Sequence, residues 1–268
     1  MNGCGPVVVG VDGTAEGLAA VEAAAWEADR RGAALRLAHA LTWVSPDVPA
    51  GVAPWDPDGA GTRDRVNQAF SDAEGRARRV APHLVITREV QVGAPETVLG
   101  SESRAACLTV VGTHRIDGAR GRLHGSVAGR LTARAGCPVL VVRGRHTRTG
   151  PVVLAADESP RAREAAGFAF AEASERGADL VVLRARRNGR TTADALSALR
   201  EKYPNVTVRT PAVRGRHHRA LVEASVDAQL VVVGVPRGGT TAVLPGSEGR
   251  SILRDAHCPV ALVPAADR

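Results

Sequence analysis

The 268-residue sequence has little lysine and few aromatic residues. Lys202 is its only lysine, so arginine supplies nearly all of the 35 basic residues, and the formal net charge is +7. Three Trp, one Tyr and three Phe residues are scattered along the chain. A nucleic-acid-binding module offers a platform of aromatic side chains for stacking, or a concentrated basic helix. Because neither pattern is present, we interpret the arginine excess as coding bias, and the sequence disfavours nucleic-acid binding.

Cysteine and long apolar stretches are also scarce. The four cysteines form no Cys-x-x-Cys pair, which argues against a zinc ribbon or a thioredoxin-type redox motif. Cys137 and Cys258 each precede a proline and an apolar run, so both are predicted to be buried thiols in a reducing compartment. No stretch approaches the roughly 20 apolar residues that span a bilayer, and the N-terminus lacks the pattern of a signal peptide. A cytoplasmic location and no membrane partner are therefore expected.

The sequence contains an internal duplication. The segment VVGTHRIDGARGRLHGSVAGRLTARAGCPVLVV at 110–142 matches VVGVPRGGTTAVLPGSEGRSILRDAHCPVALV at 232–263. A polar, glycine-bounded segment, GRHTRTG, separates the two copies, as is typical of a linker between domains. We therefore predict two domains, at 1–145 and 150–268.

Strand-like and helix-like segments alternate in each copy. Several apolar runs are short, continuous and rich in Val and Leu, which is typical of strands buried on both faces of a parallel sheet. The alternation predicts an α/β fold with right-handed crossovers, built from two tandem open parallel five-stranded sheets flanked by helices. Strands are predicted near 7–11, 34–40, 84–90, 107–112, 138–143, 152–156, 179–184, 205–210, 229–234 and 259–263. Helices are predicted near 15–31, 63–80, 95–104, 126–135, 160–176, 191–202, 216–226 and 247–255.

Asp12 and Gly112 are predicted to lie together at the carboxyl edge of the first sheet. Asp12 follows the first strand and precedes a helix start, while Gly112 ends the fourth strand and opens a loop that closes at Gly125-Ser126. An open parallel sheet binds ligands outside the carboxyl ends of its strands, where the strand order reverses. Free N–H groups at a helix start suit phosphate. Asp12 could accept hydrogen bonds from a ribose hydroxyl or an adenine amino group; the alternative is that it only caps the helix.

These motifs resemble the universal stress protein family in its tandem two-domain form. The pattern VGVDGT…GTHR-x9-GS…CPVLVV and its repeat cover nearly the whole chain. Nucleotide-binding members of the family carry Gly-x-x-Gly-x9-Gly-(Ser/Thr) after the fourth strand. The resemblance implies a Rossmann-like fold of the adenine nucleotide alpha-hydrolase type. It also implies ATP as the cofactor, with or without Mg²⁺.

The resemblance also implies which residues form the nucleotide site. Asp12 would contact the ribose or the adenine, Ala40 and Val111 would line the base pocket, and the glycine-rich loop would hold the phosphates. In the first copy the implied residues are Gly10, Asp12, Ala40, Val111, Gly112, Thr113, Arg115, Gly125, Ser126 and Val127. In the second copy they are Asp157, Gly234, Gly246 and Ser247.

Arg115 departs from the family pattern, which has glycine at this position. If the backbone there is left-handed, an arginine costs roughly 1–2 kcal/mol. Its guanidinium either occupies the phosphate site itself or clamps a phosphate bidentately. Arg237 stands at the matching place in the second copy, where Pro236 and Pro245 also remove two backbone donors. The first copy is therefore predicted to be the main site.

Other catalytic patterns are missing from the sequence. No Walker A Gly-Lys-Ser/Thr, no Gly-x-Gly-x-x-Gly after a strand and no Gly-x-Ser-x-Gly elbow is present. His217 and His218 are adjacent and would point in different directions on a helix, so no metal site is expected. With no positioned general base, the sequence favours a nucleotide-binding stress-response regulator over an enzyme. The alternatives are a nucleotide-free interaction protein of the same fold and a slow ATPase.

The last strand of each copy is an apolar edge that needs covering. These strands are predicted at 138–142 and 259–263, and in the family's dimers this strand pairs across a two-fold interface. The resemblance implies that the tandem chain folds as an intramolecular pseudo-dimer through these strands. A homodimer of the whole chain is a further option.

Overall fold

The computed structural model of the protein describes residues 5–41, 61–113, 127–144, 147–156, 162–184, 190–213, 216–236 and 247–265. These residues form ten strands and eight helices, and they fall into two compact units. The first unit contains β1 (Val7–Gly10), α1 (Ala15–Arg31), β2 (Leu35–Leu41), α2 (Gly61–Val80), β3 (Ile86–Val92), α3 (Pro95–Glu102) and β4 (Leu108–Gly112). The second contains α4 (Val127–Thr132), β5 (Val139–Val142), β6 (Val152–Ala156), α5 (Ala162–Arg176), β7 (Leu180–Arg184), α6 (Arg190–Lys202), β8 (Val208–Arg209), α7 (His217–Ala224), β9 (Leu230–Val235), α8 (Ser247–Asp255) and β10 (Val260–Pro264).

The strands of the first unit run in the order β3-β2-β1-β4, and every neighbouring pair is parallel. Residues 7–9 of β1 have no exposed surface, since they lie between two strands and beneath helices. β1 is thus the middle of a sheet whose order reverses between β1 and β4, so the carboxyl ends of these two strands form the switch point. The predicted α/β class is confirmed.

Helix α1 shows how the local sequence sets the limits of an element. The Thr14 side chain accepts a hydrogen bond from the N–H of Gly17 and so caps the start of the helix. At the other end, Gly32 adopts a left-handed backbone with φ 60°, and its N–H reaches the carbonyls of Ala28 and Asp29. The alanine-rich middle of the helix lets α1 pack closely on β1 and β4.

The second unit has the strand order β5-β10-β9-β6-β7-β8. From β10 to β8 the neighbouring strands are parallel, whereas β5 pairs antiparallel with β10, Leu140 opposite Ala261. The four residues of β5 are buried, so this apolar strand is covered by β10 within the second unit. The pseudo-dimer arrangement of two repeats, and the domain limits 1–145 and 150–268, stay predictions.

No helix in the described ranges is both long and apolar enough to cross a membrane. Cys137 and Cys258 are buried, at 5% and 1% exposure, as the apolar runs after them predicted. Burial raises the pKa of the Cys258 thiol to about 12, because desolvation disfavours the thiolate.

Candidate functional site

A short turn between β1 and α1 fixes the side chain of Asp12. The backbone N–H and the hydroxyl of Thr14 donate to Asp12 Oδ1, at 3.0 Å and 2.7 Å. Gly13, between them, has φ 77°, a left-handed conformation that a side chain would strain. The cap of α1 is the Thr14 hydroxyl, which accepts from the N–H of Gly17 at 3.0 Å. Asp12 is therefore not the helix cap itself; it is an exposed carboxylate held by the capping turn.

Two glycines bring this turn, the first turn of α1 and the end of β4 into contact. A Cβ on Gly112 would lie 2.7 Å from the carbonyl oxygen of Glu16, and a Cβ on Gly17 would overlap Asp12 Oδ1. Real Cβ atoms do not approach backbone as closely as at Gly112, so that position requires glycine, whereas a side chain at position 17 would displace the Asp12 carboxylate. The carboxyl end of β4 thus lies directly against the start of α1, next to Asp12.

The start of α1 brings backbone N–H donors to this place. The first four N–H groups of a helix have no intrahelical acceptor. Here Gly17 donates to the Thr14 hydroxyl and Leu18 to the Thr14 carbonyl. In the part of the chain that the structure describes, the N–H groups of Ala15 and Glu16 have no acceptor. Together with the helix dipole they make a positive end suited to an anion.

The neighbouring strand β2 supplies apolar surface and one histidine. Ala40 is half-buried in β2 and Val111 is buried in β4, while a Cβ on Gly10 would lie 3.2 Å from a methyl carbon of Leu99. His39 was not among the predicted site residues, and its Nδ1 lies 2.7 Å from the carbonyl oxygen of Val11. Since a carbonyl oxygen only accepts, Nδ1 carries the proton. The His39 ring thereby fixes the backbone immediately before Asp12.

Comparison with known proteins identifies the fold family. The model of the universal stress protein family matches residues 4–143 and 185–264. The chain belongs to the universal stress protein family.

Tandem relatives match the chain over almost its whole length. A universal stress protein of Mycobacterium tuberculosis (strain H37Rv) is 33% identical over 283 residues, covering 95% of this chain and 94% of its own. One of Mycolicibacterium smegmatis is 34% identical over 287 residues, covering 96% of each chain.

Comparison with solved structures shows which fold this chain shares. A universal stress protein from Archaeoglobus fulgidus has a TM-score of 0.72 at 16% identity, covering 97% of this chain and 98% of its own; this likeness shows the fold alone. A universal stress protein in complex with cAMP aligns with 53% of this chain and 99% of its own, at 30% identity and a TM-score of 0.44. The bound cAMP is a finding about that other protein.

Several residues implied by the family pattern lie outside the described residues. They are Arg115, Gly125, Ser126, Asp157 and Gly246. In the first unit the structure does bring Gly10, Asp12 and Gly112 to the carboxyl edge of β1 and β4, and Thr113 follows β4 as a half-buried residue. In the second unit Val127 begins α4, Gly234 lies in β9, and Ser247 begins α8. Their assignment as nucleotide ligands stays a prediction.

A charged cluster connects α7 and α8 in the second unit of this universal stress protein. Arg254 donates two hydrogen bonds to Asp255, and Nε2 of His218 lies 3.2 Å from the same carboxylate. The hydrogen bonds from Arg254 hold the pKa of Asp255 below its usual value. Arg143 donates to the carbonyl of Arg254 at 2.7 Å, and its partial burial lowers its pKa. This cluster ties the segment after β5 to the end of α8, and we assign it a structural role.

Proposed function

We propose that this universal stress protein binds an adenine nucleotide, with ATP as the first candidate, at the carboxyl ends of β1 and β4 in the first unit. In this proposal nucleotide occupancy is the signal through which the protein acts as a stress-response regulator in the cytoplasm. The observation that carries the proposal is the close meeting of Asp12, the first turn of α1 and Gly112. A switch point in a parallel sheet is where such folds bind ligands.

Each part of a nucleotide has a suitable partner at this edge. The Asp12 carboxylate is an acceptor for ribose hydroxyls or for an adenine amino group, and a charged acceptor strengthens such hydrogen bonds. The N–H groups of Ala15 and Glu16 lie at the positive end of the helix dipole and would donate hydrogen bonds to the anionic phosphates. Ala40 and Val111 offer the apolar surface that a base needs. Bound Mg²⁺ would neutralise phosphate charge, and its ligands would come largely from the phosphates and from water.

We propose binding rather than turnover as the activity. Among the described residues, no group of three or more His, Cys, Asp and Glu side chains could hold a metal ion. Two titratable side chains at the turn are already engaged, since Asp12 accepts from Thr14 and His39 is hydrogen-bonded to Val11. Hydrolysis without a positioned general base is expected to be slow.

A nucleotide content assay tests this proposal. Freshly purified protein is denatured, and the released small molecules are separated by chromatography and counted per chain. Asp12→Ala is compared with Asp72→Ala, a matched removal of an exposed carboxylate on α2 that accepts a hydrogen bond from Gln68 at 2.9 Å. The wild type and Asp72→Ala are expected to retain adenine nucleotide, and Asp12→Ala is expected to lose it. Asp157→Ala reports separately on the second copy.

The other outcomes favour the competing functions. If no nucleotide is found even after soaking with millimolar ATP and Mg²⁺, the protein is an interaction protein of this fold without a ligand. If ADP accumulates from added ATP in the wild type but not in Asp12→Ala, the protein is a slow ATPase. If Asp72→Ala loses nucleotide as completely as Asp12→Ala, the site is not at this edge.

A further inference from the structure

The imidazole ring of His39 is held beside the turn that carries Asp12. Its Nδ1–H group donates to the carbonyl oxygen of Val11 at 2.7 Å. The half-buried ring also packs edge-on against Phe70 of α2, with the ring centroids 6.2 Å apart and an interplanar angle of 67°. Because the Val11 carbonyl carbon is bonded to the nitrogen of Asp12, Nδ1 lies within about 6 Å of the Asp12 Cα atom. The ring is therefore fixed next to the carboxylate on which the proposed site depends.

The His39 ring can gain a proton without losing its hydrogen bond. Because Nδ1 carries the proton that the Val11 carbonyl accepts, Nε2 is the unprotonated nitrogen of the neutral ring. In the part of the chain that the structure describes, Nε2 has no hydrogen-bond partner. Histidine is the side chain whose charge ordinarily changes between pH 5 and 8. Acidification can therefore add a positive charge at this place while the bond to Val11 is kept.

The second copy of the duplication has a basic residue at the same strand position. In the first unit, the parallel register of β1 and β2 sets His39 beside Val11. In the second unit, Arg184 of β7 pairs with Ala156 of β6. Val11 and Ala156 each precede an aspartate in the sequence. Since arginine is always charged, the cation at this position is permanent in the second copy, whereas in the first copy it depends on pH.

Charged side chains from the elements around the ring form ion pairs with one another. Arg88 on β3 donates to Glu74 on α2 at 2.6 Å, and this bond holds the pKa of Glu74 below its ordinary value. Arg76 on α2 donates to Glu22 on α1, and the other charged residues of α2 are exposed. Carboxylates and guanidinium groups ordinarily titrate outside the range of histidine. Between pH 8 and about pH 5.5 the charge that changes in this packing is therefore that of His39.

We propose that His39 is a positioning residue of the nucleotide edge and that its protonation strengthens nucleotide binding there. This inference rests on the nucleotide site proposed above. In both protonation states the Nδ1–H bond to Val11 holds the backbone that presents Asp12. The positive charge of the protonated ring offsets the negative charge of the Asp12 carboxylate, which repels an anionic ligand, and it attracts the phosphates.

The sign of the pH dependence follows from linkage. A bound nucleotide adds negative charge at the edge, so the ring holds its proton more tightly in the complex than in the free protein. Binding must then take up protons, and the affinity rises as the pH falls through the range of histidine. For charges several ångströms apart near a protein surface, an effect of about threefold to tenfold in affinity is expected.

Calorimetric titration of the full, nucleotide-free chain with ATP and Mg²⁺, from pH 8 to about pH 5.5, tests the charge effect. His39→Asn keeps an N–H donor near the place of Nδ1 but cannot be protonated in this range. His83→Asn is the matched control, because the His83 side chain is 84% exposed and lies before β3, at the end of that strand away from the site. Protonation of ATP itself is the same for all proteins and cancels in the comparison. The affinity of the wild type relative to His39→Asn should rise about threefold to tenfold on acidification, and His83→Asn should follow the wild type.

Two further readouts separate charge from positioning. Titrations near pH 6.5 in buffers of different ionisation enthalpy should show that the wild type takes up more protons on binding than His39→Asn does. At pH 8, His39→Ala should bind ATP more weakly than the wild type, and His39→Asn should recover most of that loss; circular dichroism checks that each variant is folded.

The outcomes distinguish this inference from the nucleotide proposal on which it rests. If the wild type and His39→Asn bind ATP with the same pH profile and the same proton uptake, His39 does not regulate the site, although the nucleotide site itself stands. If His39→Ala and His39→Asn bind equally well at pH 8, the positioning role is wrong. If the wild type binds no ATP at any pH, the nucleotide site and this inference are both overturned.

Discussion

Alanine at Gly112 is predicted to destabilise the first unit by forcing two backbones apart. Its Cβ would lie 2.7 Å from the carbonyl oxygen and 3.0 Å from the carbonyl carbon of Glu16. Both atoms belong to the backbone of α1, so no side-chain rotation can relieve the overlap. The end of β4 must move by roughly 0.5 Å, and overpacking of this kind costs about 1–3 kcal/mol.

Gly167→Ala is the matched control, with an effect of the opposite sign. Gly167 lies inside α5, and a Cβ there would meet nothing within 4 Å. Alanine restricts the unfolded chain and favours the helix, so this change should stabilise the second unit by about 0.5–1 kcal/mol.

Urea unfolding followed by circular dichroism measures both free energies, and the slope with urea shows whether the two units unfold together. The same displacement of β4 should weaken ATP binding by Gly112→Ala and leave that of Gly167→Ala unchanged. If Gly112→Ala is as stable as the wild type, β4 and α1 do not meet as closely as described. Asp12, α1 and Gly112 would then not form one site at the carboxyl ends of β1 and β4.

Three further predictions concern single residues. Because the Thr14 hydroxyl caps α1, Thr14→Ala should lower the free energy of unfolding in urea by about 1 kcal/mol, and Thr14→Ser should keep most of the wild-type stability. Equal stability of all three proteins would show that the cap is not used. In the folded protein, iodoacetamide at pH 8 should label the half-buried Cys107 but not Cys258, because the pKa of the buried Cys258 thiol is about 12. Cys258 should become labelled only after unfolding, and labelling of Cys258 in the folded protein would contradict its burial. The hydrogen bonds from Arg254 lower the pKa of Asp255, so its contribution to stability is complete above about pH 5 and is lost as the pH falls through the folded-state pKa. The difference in free energy of unfolding between wild type and Asp255→Asn should shrink below about pH 4, and a difference that grows there would contradict this sign.

The limits of the elements followed closely from local signals in the sequence. Helix α1 was predicted near 15–31 and spans Ala15–Arg31, because Gly32 ends it by a backbone conformation that glycine readily adopts. Runs of Val and Leu located the buried strands for a similar reason, since only strands covered on both faces can be apolar throughout. Helix ends and buried strands depend on residues that are close in sequence, so they can be predicted from one amino-acid sequence.

Features that depend on distant residues could not be predicted in the same way. β8 was predicted near 205–210 but has two residues, which pair with Leu180 and Val181 of β7; how many residues of an edge strand pair depends on contacts with distant residues, which its own sequence does not give. Nothing around His39 in the sequence indicates that its ring reaches the carbonyl of Val11. Asp12 was predicted at the carboxyl edge of the first sheet and lies there, while the residue that caps α1 is Thr14. Both residue types can cap a helix, so residue type alone does not show which of the two is the cap.

Calorimetric titration of nucleotide-free protein with ATP and Mg²⁺ tests the central claim most directly. Hydrogen bonds to a charged group contribute about 1.5–3 kcal/mol, so Asp12→Ala should bind ATP about tenfold to a hundredfold more weakly than the wild type. Asp72→Ala, folded to the same extent, should bind as the wild type does. Equal affinity in all three proteins, or no binding by the wild type, would contradict a nucleotide site at the carboxyl ends of β1 and β4.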